Sequence, residues 1–341
     1  MAFRPEAGER ISGYPSNAMR QPQALASAPR ISVLMPAHNA GTYVAAAVRS
    51  ALEGGEPNVE VIVVDDGSTD GTAAAALAIN DPRVIVISIA ASGGPARPRN
   101  IALARARSPY IATLDADDVL KPGRLAASAD LLDRFPVAGF AFGDFEKMDA
   151  DGNVFETSAA YAYPAFLGLR FEPAGEDWKL IPQGELARGL LHGNFIGTSG
   201  VVMRRELVVA LGGFDESLRN SDDVDLWYRL AHRGAALYSP RLAYSYRVLA
   251  NSVARGPPVR TALTRIRVLR RERTRWRDRT ARRQLDRRIA ENLASIGYQQ
   301  RLNRERWKAI HSYLRAFMAS PESRWLSYLI ATLLLAPEGG G

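Results

Sequence analysis

Short apolar runs alternate with stretches of helical spacing over the first third of the chain. Four runs read as strands, the first of them buried, and segments typical of helices separate them. The predicted strands are Ile31–Met35, Val59–Val64, Val84–Ile89 and Tyr110–Leu114, and the predicted helices are Thr42–Leu52, 70–80 with Asp70 as N-cap, and Arg99–Arg107. Strands that alternate with helices of about ten residues indicate a mostly parallel sheet covered on both faces.

The pattern is less regular beyond Pro122. It predicts a helix to about Arg134, a helix over Asp222–Arg233 and only helices after residue 256. An aromatic segment interrupted by Pro and Gly, Ala159–Ile181, reads as a long loop. Further strands are predicted over Val137–Met148, Val154–Thr157, Val201–Met203, Ala235–Tyr238 and Ala243–Val248. The chain is therefore expected to comprise a flexible tail (1–29), an α/β domain (30–256) and a helical region (257–341).

Charge is divided unevenly along the 341 residues. Between Val259 and Ile330 there are 19 basic and 6 acidic residues, whereas the rest of the chain has 25 basic and 30 acidic ones. One end of the protein is thus suited to an anionic partner, such as a membrane surface. No nucleic-acid-binding motif accompanies the charge, which makes nucleic acid an unlikely partner. The alternative for the basic region is a solvated helix face whose apolar residues join the core.

Composition also restricts the chemistry and the location. The absence of cysteine excludes disulfides and thiol catalysis, and with four histidines any metal has to be held largely by carboxylates. Residues 1–29 lack the apolar run of a secretory signal. The apolar stretch Trp325–Ala336 is shorter than the ~20 residues that span a bilayer. We therefore expect a cytoplasmic protein, with a peripheral contact on the inner face of the membrane.

Acidic residues follow two of the predicted strands. Asp65 and Asp66 come immediately after the second strand and could accept hydrogen bonds from a nucleobase or ribose. Asp115, Asp117 and Asp118 follow the fourth strand, where mutual repulsion favours a bound divalent cation and a nucleotide diphosphate. The alternatives are an ordinary turn at the first position and a solvated acidic turn at the second.

A third acidic group opens the helix predicted from Asp222. The helix dipole favours Asp222 and Asp223 at this position, and simple N-capping would explain one of them. The functional interpretation makes one carboxylate a general base that faces the cleft of the sheet.

Taken together, these segments resemble a family 2 glycosyltransferase of the GT-A type. The resemblance spans roughly residues 31–250 and rests on the order and spacing of several motifs, each weak alone. They are Ile31–Asn39, Val63–Asp70, Gly94–Asn100, Tyr110–Asp118, Leu211–Glu216 and Asp222–Trp227.

The resemblance implies a role for each matching residue. Asp66 would bind the base or ribose, Arg99 would lie near the ribose and diphosphate, and Asp115 would face the ribose. Asp117 would bind Mg²⁺ or Mn²⁺, and Asp223 would be the base. The residues that would line the nucleobase are Pro36, Ala37 and His38. The residues expected on the acceptor side are Asp222 and Trp227.

Two departures from the family pattern bear on these roles. The usual Glu-Asp pair is Asp222–Asp223 here, and Leu249 stands where a metal-binding His often follows Tyr-Arg. The Gln-x-x-Arg-Trp motif of processive synthases is absent, since the similar segment Glu272–Trp276 begins with Glu and lies among arginines. Transfer of a single sugar is therefore expected.

The implied reaction is inverting transfer from a UDP- or GDP-sugar to a saccharide, lipid-linked or protein acceptor, in polysaccharide or glycoconjugate synthesis. One alternative is a metal-dependent nucleotidyltransferase, but the loop Pro36–Gly41 has a single Gly and no Lys to hold phosphates. The other is a non-catalytic module derived from a transferase, which still binds nucleotide-sugar.

Overall fold

The computed structural model describes residues 28–158, 163–175, 177–249 and 257–334, so nearly all of the tail predicted over 1–29 lies outside it. Eleven strands form a single mixed sheet in this part of the chain. They are β1 (Ile31–Ala37), β2 (Val59–Asp66), β3 (Val84–Ile89), β4 (Tyr110–Thr113), β5 (Val119–Leu120), β6 (Ala138–Met148), β7 (Val154–Glu156), β8 (Glu172–Pro173), β9 (Lys179–Ile181), β10 (Val202–Arg204) and β11 (Ala235–Arg247).

Helices cover both faces of the sheet. Of the helices in the described residues, eight lie within the α/β part and four follow it. They are α1 (Val44–Leu52), α2 (Thr72–Leu77), α3 (Ala96–Arg105), α4 (Arg124–Arg134), α5 (Pro164–Leu167), α6 (Glu185–Leu190), α7 (Arg205–Ala210), α8 (Asp222–Ala231), α9 (Pro258–Arg275), α10 (Arg279–Leu302), α11 (Arg306–Ala319) and α12 (Ser323–Leu334).

The strand order is β3-β2-β1-β4-β10-β6-β11-β9-β8. The strands β3, β2, β1 and β4 are parallel, β10 is antiparallel to both of its neighbours, and β6 and β11 are again parallel. Because Ala37 pairs with Asp65, β1 and β2 end side by side. The loops after these strands consequently open on one edge of the sheet, as the α/β prediction requires.

Alternation along each strand sends side chains to opposite faces of the sheet. On β1, Ile31, Val33 and Met35 pack in a cluster with α1 and α4, whereas Leu34 belongs to a second cluster with α3 and α8. The sheet therefore has a buried apolar layer on each side.

The basic C-terminal helices pack into the second of these clusters. Ile266 on α9, Leu285 on α10 and Tyr313 on α11 are buried together with Phe140 of the sheet. At the end of α8, His232 Nε2 lies 2.6 Å from Glu272 Oε1 of α9. The apolar residues of this region thus join the core of the α/β part, as the alternative reading of the basic helices proposed.

The structure corrects three local predictions. The segment predicted as a loop over Ala159–Ile181 contains α5, β8 and β9 in its described parts, and β9 pairs with β11. The two strands predicted around Pro240 form the single strand β11, whose register shifts between Ser239 and Leu242. The N-cap of α2 is Gly71 rather than Asp70, although the Asp70 side chain still accepts the backbone N–H of Thr72 at 3.1 Å.

The apolar stretch predicted over Trp325–Ala336 corresponds mostly to α12, and Ala336 lies outside the described residues. Trp325 is buried, whereas Leu334 is 78% exposed. In the ranges that the structure describes, we find no helix with the length and hydropathy needed to cross a bilayer.

Candidate active site

A cavity of about 1260 Å³ lies at the carboxyl ends of β1, β2 and β4. The loops after these strands and the start of α8 line it, and α9 and α10 contribute further residues. Nine of the ten residues predicted for the site line this cavity, namely Pro36, Ala37, His38, Asp66, Arg99, Asp115, Asp117, Asp222 and Asp223.

Asn39 connects the loops that follow β1 and β2. Its backbone N–H donates to Ser68 Oγ at 2.9 Å, and its Oδ1 accepts the N–H of Thr69 at 2.9 Å. One residue earlier, His38 Nδ1 lies 2.8 Å from the carbonyl oxygen of Asp66. These bonds hold the end of β1 against the Asp66 loop, on the side where the nucleobase is expected.

Both carboxylate oxygens of Asp66 accept hydrogen bonds from Ser92. Oδ1 accepts the backbone N–H at 2.7 Å and Oδ2 accepts the hydroxyl at 2.9 Å. Gly67 follows with φ +70°, and a Cβ at this position would lie 2.7 Å from the backbone nitrogen of Ala91. The Asp-Gly sequence thus allows the loops after β2 and β3 to approach closely and fixes the orientation of Asp66.

Arg99 on α3 joins two acidic motifs that are far apart in sequence. Its Nη1 donates to Asp222 Oδ2 at 2.7 Å and its Nη2 donates to Asp115 Oδ1 at 2.6 Å. Burial alone would lower the pKa of Arg99, but these two carboxylates raise it above its ordinary value. Arg99 therefore remains charged and holds the start of α8 against the loop after β4.

The residues after β4 differ in exposure and in role. Asp118 is buried, and its carboxylate accepts Ser199 Oγ at 2.6 Å and the backbone N–H of Arg247 at 2.9 Å. Asp117 lines the cavity, and burial together with the charge of Asp115 raises its pKa to about 6. A cation beside Asp117 would relieve this cost of ionisation.

Arg247 at the end of β11 fixes the backbone of this acidic loop. Its Nε donates to the carbonyl oxygen of Asp117 at 2.9 Å, and its Nη1 donates to the carbonyl oxygen of Ala150 at 2.8 Å. The guanidinium also lies 4.7 Å from the centre of the Tyr43 ring. Because Arg247 binds backbone oxygens, the carboxylate of Asp117 remains available to the cavity.

The two carboxylates that open α8 have different surroundings. Asp222 is buried against Arg99, and burial raises its pKa to about 6 although Arg99 opposes the shift. Asp223 is only partly buried. Its Oδ2 accepts a hydrogen bond from the hydroxyl of Thr198 at 2.6 Å, and its Oδ1 accepts one from the backbone N–H of Val224 at 2.8 Å. Of the two, Asp223 is thus the one that does not pair with Arg99.

Residues 32–207 match the sequence profile of the family described as glycosyl transferase family 2, which is about half of the chain. The chain belongs to this family. It is 32% identical over 237 residues to the succinoglycan biosynthesis protein ExoO of Rhizobium meliloti strain 1021. That match covers 69% of this chain and 65% of ExoO, which is less than two thirds of the relative's own length.

Solved structures of glycosyltransferases share the GT-A fold of this family 2 chain. The structure of S. aureus TarS 1–349 in complex with UDP-GlcNAc has a TM-score of 0.63 at 18% identity and covers 89% of both chains. The mannosyltransferase PcManGT of Pyrobaculum calidifontis, in complex with GDP-Man and Mn²⁺, has a TM-score of 0.55 at 17% identity, with 91% of this chain and 81% of that chain covered. At this identity the likeness establishes the fold alone, and it confirms the predicted fold class.

Trp227 is the predicted site residue that the structure does not bring to the cavity. Its side chain is fully buried, and its ring stacks on Phe140 with the ring centres 6.1 Å apart. The face of α8 that carries Trp227 packs on the sheet, whereas Asp223 faces the cavity. The acceptor-side role expected for Trp227 therefore does not fit its position.

Few side chains in the cavity could ligate a metal ion. In the portion of the chain that the structure describes, no group of three or more His, Asp or Glu side chains could hold a metal ion. Leu249 lines the cavity but cannot ligate, and Asp115 already pairs with Arg99. Among the described residues of the cavity, Asp117 fits a Mg²⁺ or Mn²⁺ site in which one carboxylate and the substrate phosphates share the ion.

Several cavity residues were missed in the sequence. Thr198 lines the cavity and donates to Asp223, and the buried Ser199 beside it donates to Asp118, but nothing local distinguishes either from an ordinary loop residue. The cavity residues on α9 and α10 are far in sequence from the acidic motifs, so no local pattern connects them to the site. Their helical spacing, such as the one turn between Thr261 and Arg265 on α9, is the only signal that they share a face. The lining residues contributed by α9 and α10 are Thr261, Arg265, Val268, Leu269, Arg288, Glu291 and Asn292.

Proposed function

We propose that this protein is an inverting glycosyltransferase that moves a single sugar from a nucleotide-diphosphate sugar to an acceptor hydroxyl. The observation that carries the proposal is the meeting of Asp66, Asp117 and Asp223 in one cavity at the carboxyl ends of parallel strands. In open α/β sheets this edge is where ligands bind. Membership of glycosyl transferase family 2 supports the same reaction class and gives no support to a nucleotidyltransferase.

The donor is proposed to be a UDP- or GDP-sugar. Pro36, Ala37 and His38 line the part of the cavity beside Asp66, where the nucleobase and ribose would lie. The complexes of TarS with UDP-GlcNAc and of PcManGT with GDP-Man support a nucleotide-sugar in a fold of this kind. In this arrangement Arg99 positions Asp115 for the ribose, since its guanidinium is occupied by two carboxylates.

Asp117 is proposed to hold Mg²⁺ or Mn²⁺ together with the donor phosphates. When bound, such an ion neutralises charge that develops on the leaving diphosphate. The presence of Mn²⁺ in the PcManGT complex supports this choice of cofactor. On the protein side, Arg247 fixes the loop backbone and leaves the Asp117 carboxylate free to face the diphosphate.

Asp223 is proposed to be the general base. It takes the proton of the acceptor hydroxyl while that oxygen attacks the anomeric carbon from the face opposite the diphosphate. The bond from oxygen to the anomeric carbon forms, the bond from this carbon to the diphosphate oxygen breaks, and the configuration inverts. Thr198 orients the Asp223 carboxylate, and Asp222 is held back from the proton transfer by Arg99.

The surroundings of Glu272 support transfer of one sugar rather than processive synthesis. The segment Glu272–Trp276 is the part of the chain closest to the Gln-x-x-Arg-Trp motif, and it does not line the cavity. Instead, Glu272 accepts the indole N–H of Trp276 at 2.6 Å and contacts His232. The similarity to ExoO, a succinoglycan biosynthesis protein, supports a role in polysaccharide or glycoconjugate synthesis, with a saccharide, lipid-linked or protein acceptor.

Calorimetric titration with UDP and with GDP, each with and without Mn²⁺, tests the donor site. We expect one nucleotide to bind, and to bind more tightly with Mn²⁺. A screen of donor sugars that measures release of nucleoside diphosphate then tests turnover. Binding without release under any donor and acceptor would identify a non-catalytic module, and no binding of either nucleotide would contradict the proposal.

An anionic membrane surface is proposed as a further partner, consistent with the inner-face location expected from the sequence. The exposed Arg270, Arg277 and Arg283 have no ion-pair partner among the residues that the structure describes, and Trp307 is 74% exposed. Sedimentation with phosphatidylserine vesicles should show binding that weakens as salt shortens the Debye length below ~10 Å. A variant with glutamine at the three arginines should bind these vesicles less tightly. If the wild-type protein bound neutral vesicles as tightly as anionic ones, the electrostatic contribution to the proposed membrane contact would be contradicted.

A further inference from the structure

One face of α10 runs from the catalytic cavity to a second cavity of about 410 Å³. Arg288, Glu291 and Asn292 line the catalytic cavity, and Glu291 also lines the second one. The α10 residues of the second cavity recur at helical spacing on that face, namely Glu291, Ala294, Ser295, Tyr298 and Arg301. The two cavities therefore adjoin at Glu291.

Aromatic side chains from α10, α11 and α12 build the second cavity. Tyr313 and Trp325 are almost fully buried, whereas Tyr298 and Tyr328 are each 47% exposed. The ring centre of Tyr328 lies 5.7 Å from that of Tyr313 and 6.1 Å from that of Trp325. The cavity thus combines buried rings with rings that present a face to solvent.

Polar groups lie among these rings. The indole Nε1 of Trp325 is buried without a hydrogen-bond partner in the described residues. Arg301 stacks over the Tyr298 ring at 5.6 Å, and Glu291 is bound by Arg324 at 3.1 Å. A cavity of aromatic rings with a few polar groups suits a ligand that has flat apolar faces and hydroxyls at its edges. A pyranose ring has this character.

The distance between the two cavities sets the size of the ligand. Arg301 lies thirteen positions after Arg288, which corresponds to about 20 Å along the helix at ~1.5 Å per residue. A monosaccharide acceptor cannot reach both ends of this face, whereas a chain of several sugars can. The continuity at Glu291 leads such a chain away from the catalytic centre.

We propose that the second cavity is a distal acceptor subsite, and that the acceptor is an oligosaccharide that lies along α10 with its growing end beside Asp223. The inference rests on the proposed transferase function and adds the class of acceptor. Tyr298 and Tyr328 stack on sugars remote from the reacting hydroxyl. These rings contribute to acceptor binding and make no contact with the donor.

A glycan array that carries chains of one to eight sugars tests the subsite in the full-length protein. The wild-type protein should bind only those arrayed glycans that contain several sugars. The Tyr298→Ala and Tyr328→Ala substitutions should each weaken this binding by about tenfold through loss of a stacking ring, and Tyr298→Phe should retain it. Trp307→Ala is the matched control, since Trp307 is an exposed aromatic on α11 outside the cavity.

Parallel titrations with UDP and GDP separate this proposal from the transferase function. Both tyrosine variants should bind nucleotide as wild type does, and circular dichroism should show that both remain folded, since each side chain is 47% exposed. A wild type that ignores every chain, or that prefers monosaccharides, overturns the distal subsite while nucleotide binding still supports the transferase. The distal subsite would also be overturned if the tyrosine variants still bound glycan chains but no longer bound phosphatidylserine vesicles, because the rings would then contact lipid.

Discussion

Replacement of Asp223 by Asn is the sharpest test of the catalytic arrangement. The amide oxygen can still accept the N–H of Val224, and the amide nitrogen can donate to Thr198 Oγ1 in place of the carboxylate that accepts from it. Because both contacts can persist, we expect a stability change below about 1 kcal/mol. The substitution removes only the capacity to take a proton from the acceptor.

General-base catalysis contributes about 10²–10⁴-fold, which corresponds to roughly 2.7–5.4 kcal/mol of barrier. Asp223→Asn should therefore lower single-turnover transfer by about that factor. The Kd of the donor, measured by calorimetry, should stay near the wild-type value because the residues proposed to contact the nucleotide lie on the other loops.

Asp225→Asn provides the control on the same helical turn. Asp225 pairs with Arg229 at 2.8 Å and does not line the cavity, so its replacement should leave transfer unchanged. Full transfer by Asp223→Asn would refute the assignment. If Asp222→Asn then abolished transfer at unchanged donor affinity, the base would be Asp222.

Three further substitutions test other parts of the structure. Asp117→Ala should abolish metal-stimulated turnover without lowering Tm, and unchanged activity at saturating Mn²⁺ would remove Asp117 from the site. Asp66→Ala breaks both hydrogen bonds to Ser92 and should raise the donor Kd more than it lowers kcat, as titration and steady-state kinetics can show. Burial would raise the pKa of Glu272, but hydrogen bonds from His232 and neighbouring groups lower it below the ordinary 4.5, so its charge stabilises the fold above about pH 4.5 and this stabilisation is lost as pH falls further. Glu272→Gln should consequently cost about 1–3 kcal/mol in urea unfolding at pH 7 and clearly less at pH 4, whereas a cost independent of pH would contradict the charged state.

Local patterns predicted the first four strands of the fold well. The first, second and fourth strands are buried and the third is partly buried, and helices of 6 to 10 residues join them, so periodicity locates these strands. The strand β9 was missed because three residues, Lys179–Ile181, carry no period that distinguishes them from a loop. Its position depends on pairing with β11, which is remote in sequence. The strands predicted over Ala235–Tyr238 and Ala243–Val248 are one strand, because β11 continues through Pro240 with a change of register between Ser239 and Leu242.

The candidate site was predictable as far as it lies at strand ends. Parallel strands bring their carboxyl ends together, and so Asp66 and Asp117 meet without further information. The pairing of Arg99 with Asp222 joins residues 123 positions apart and depends on how α8 packs. The position of Arg247 likewise depends on the end of β11 lying beside the acidic loop. Such contacts are set by tertiary packing, which sequence spacing does not encode.

The shared core between the sheet and the C-terminal helices affects synthesis of the protein on the ribosome. One face of the sheet, including Leu34 and Phe140, is completed by α9 to α11, which are made after the sheet. At roughly 5–20 residues per second, the 77 residues from Pro258 to Leu334 take about 4–15 s to add. During that interval the nascent chain carries an uncovered apolar surface, so it depends on chaperones or on fast completion to avoid aggregation.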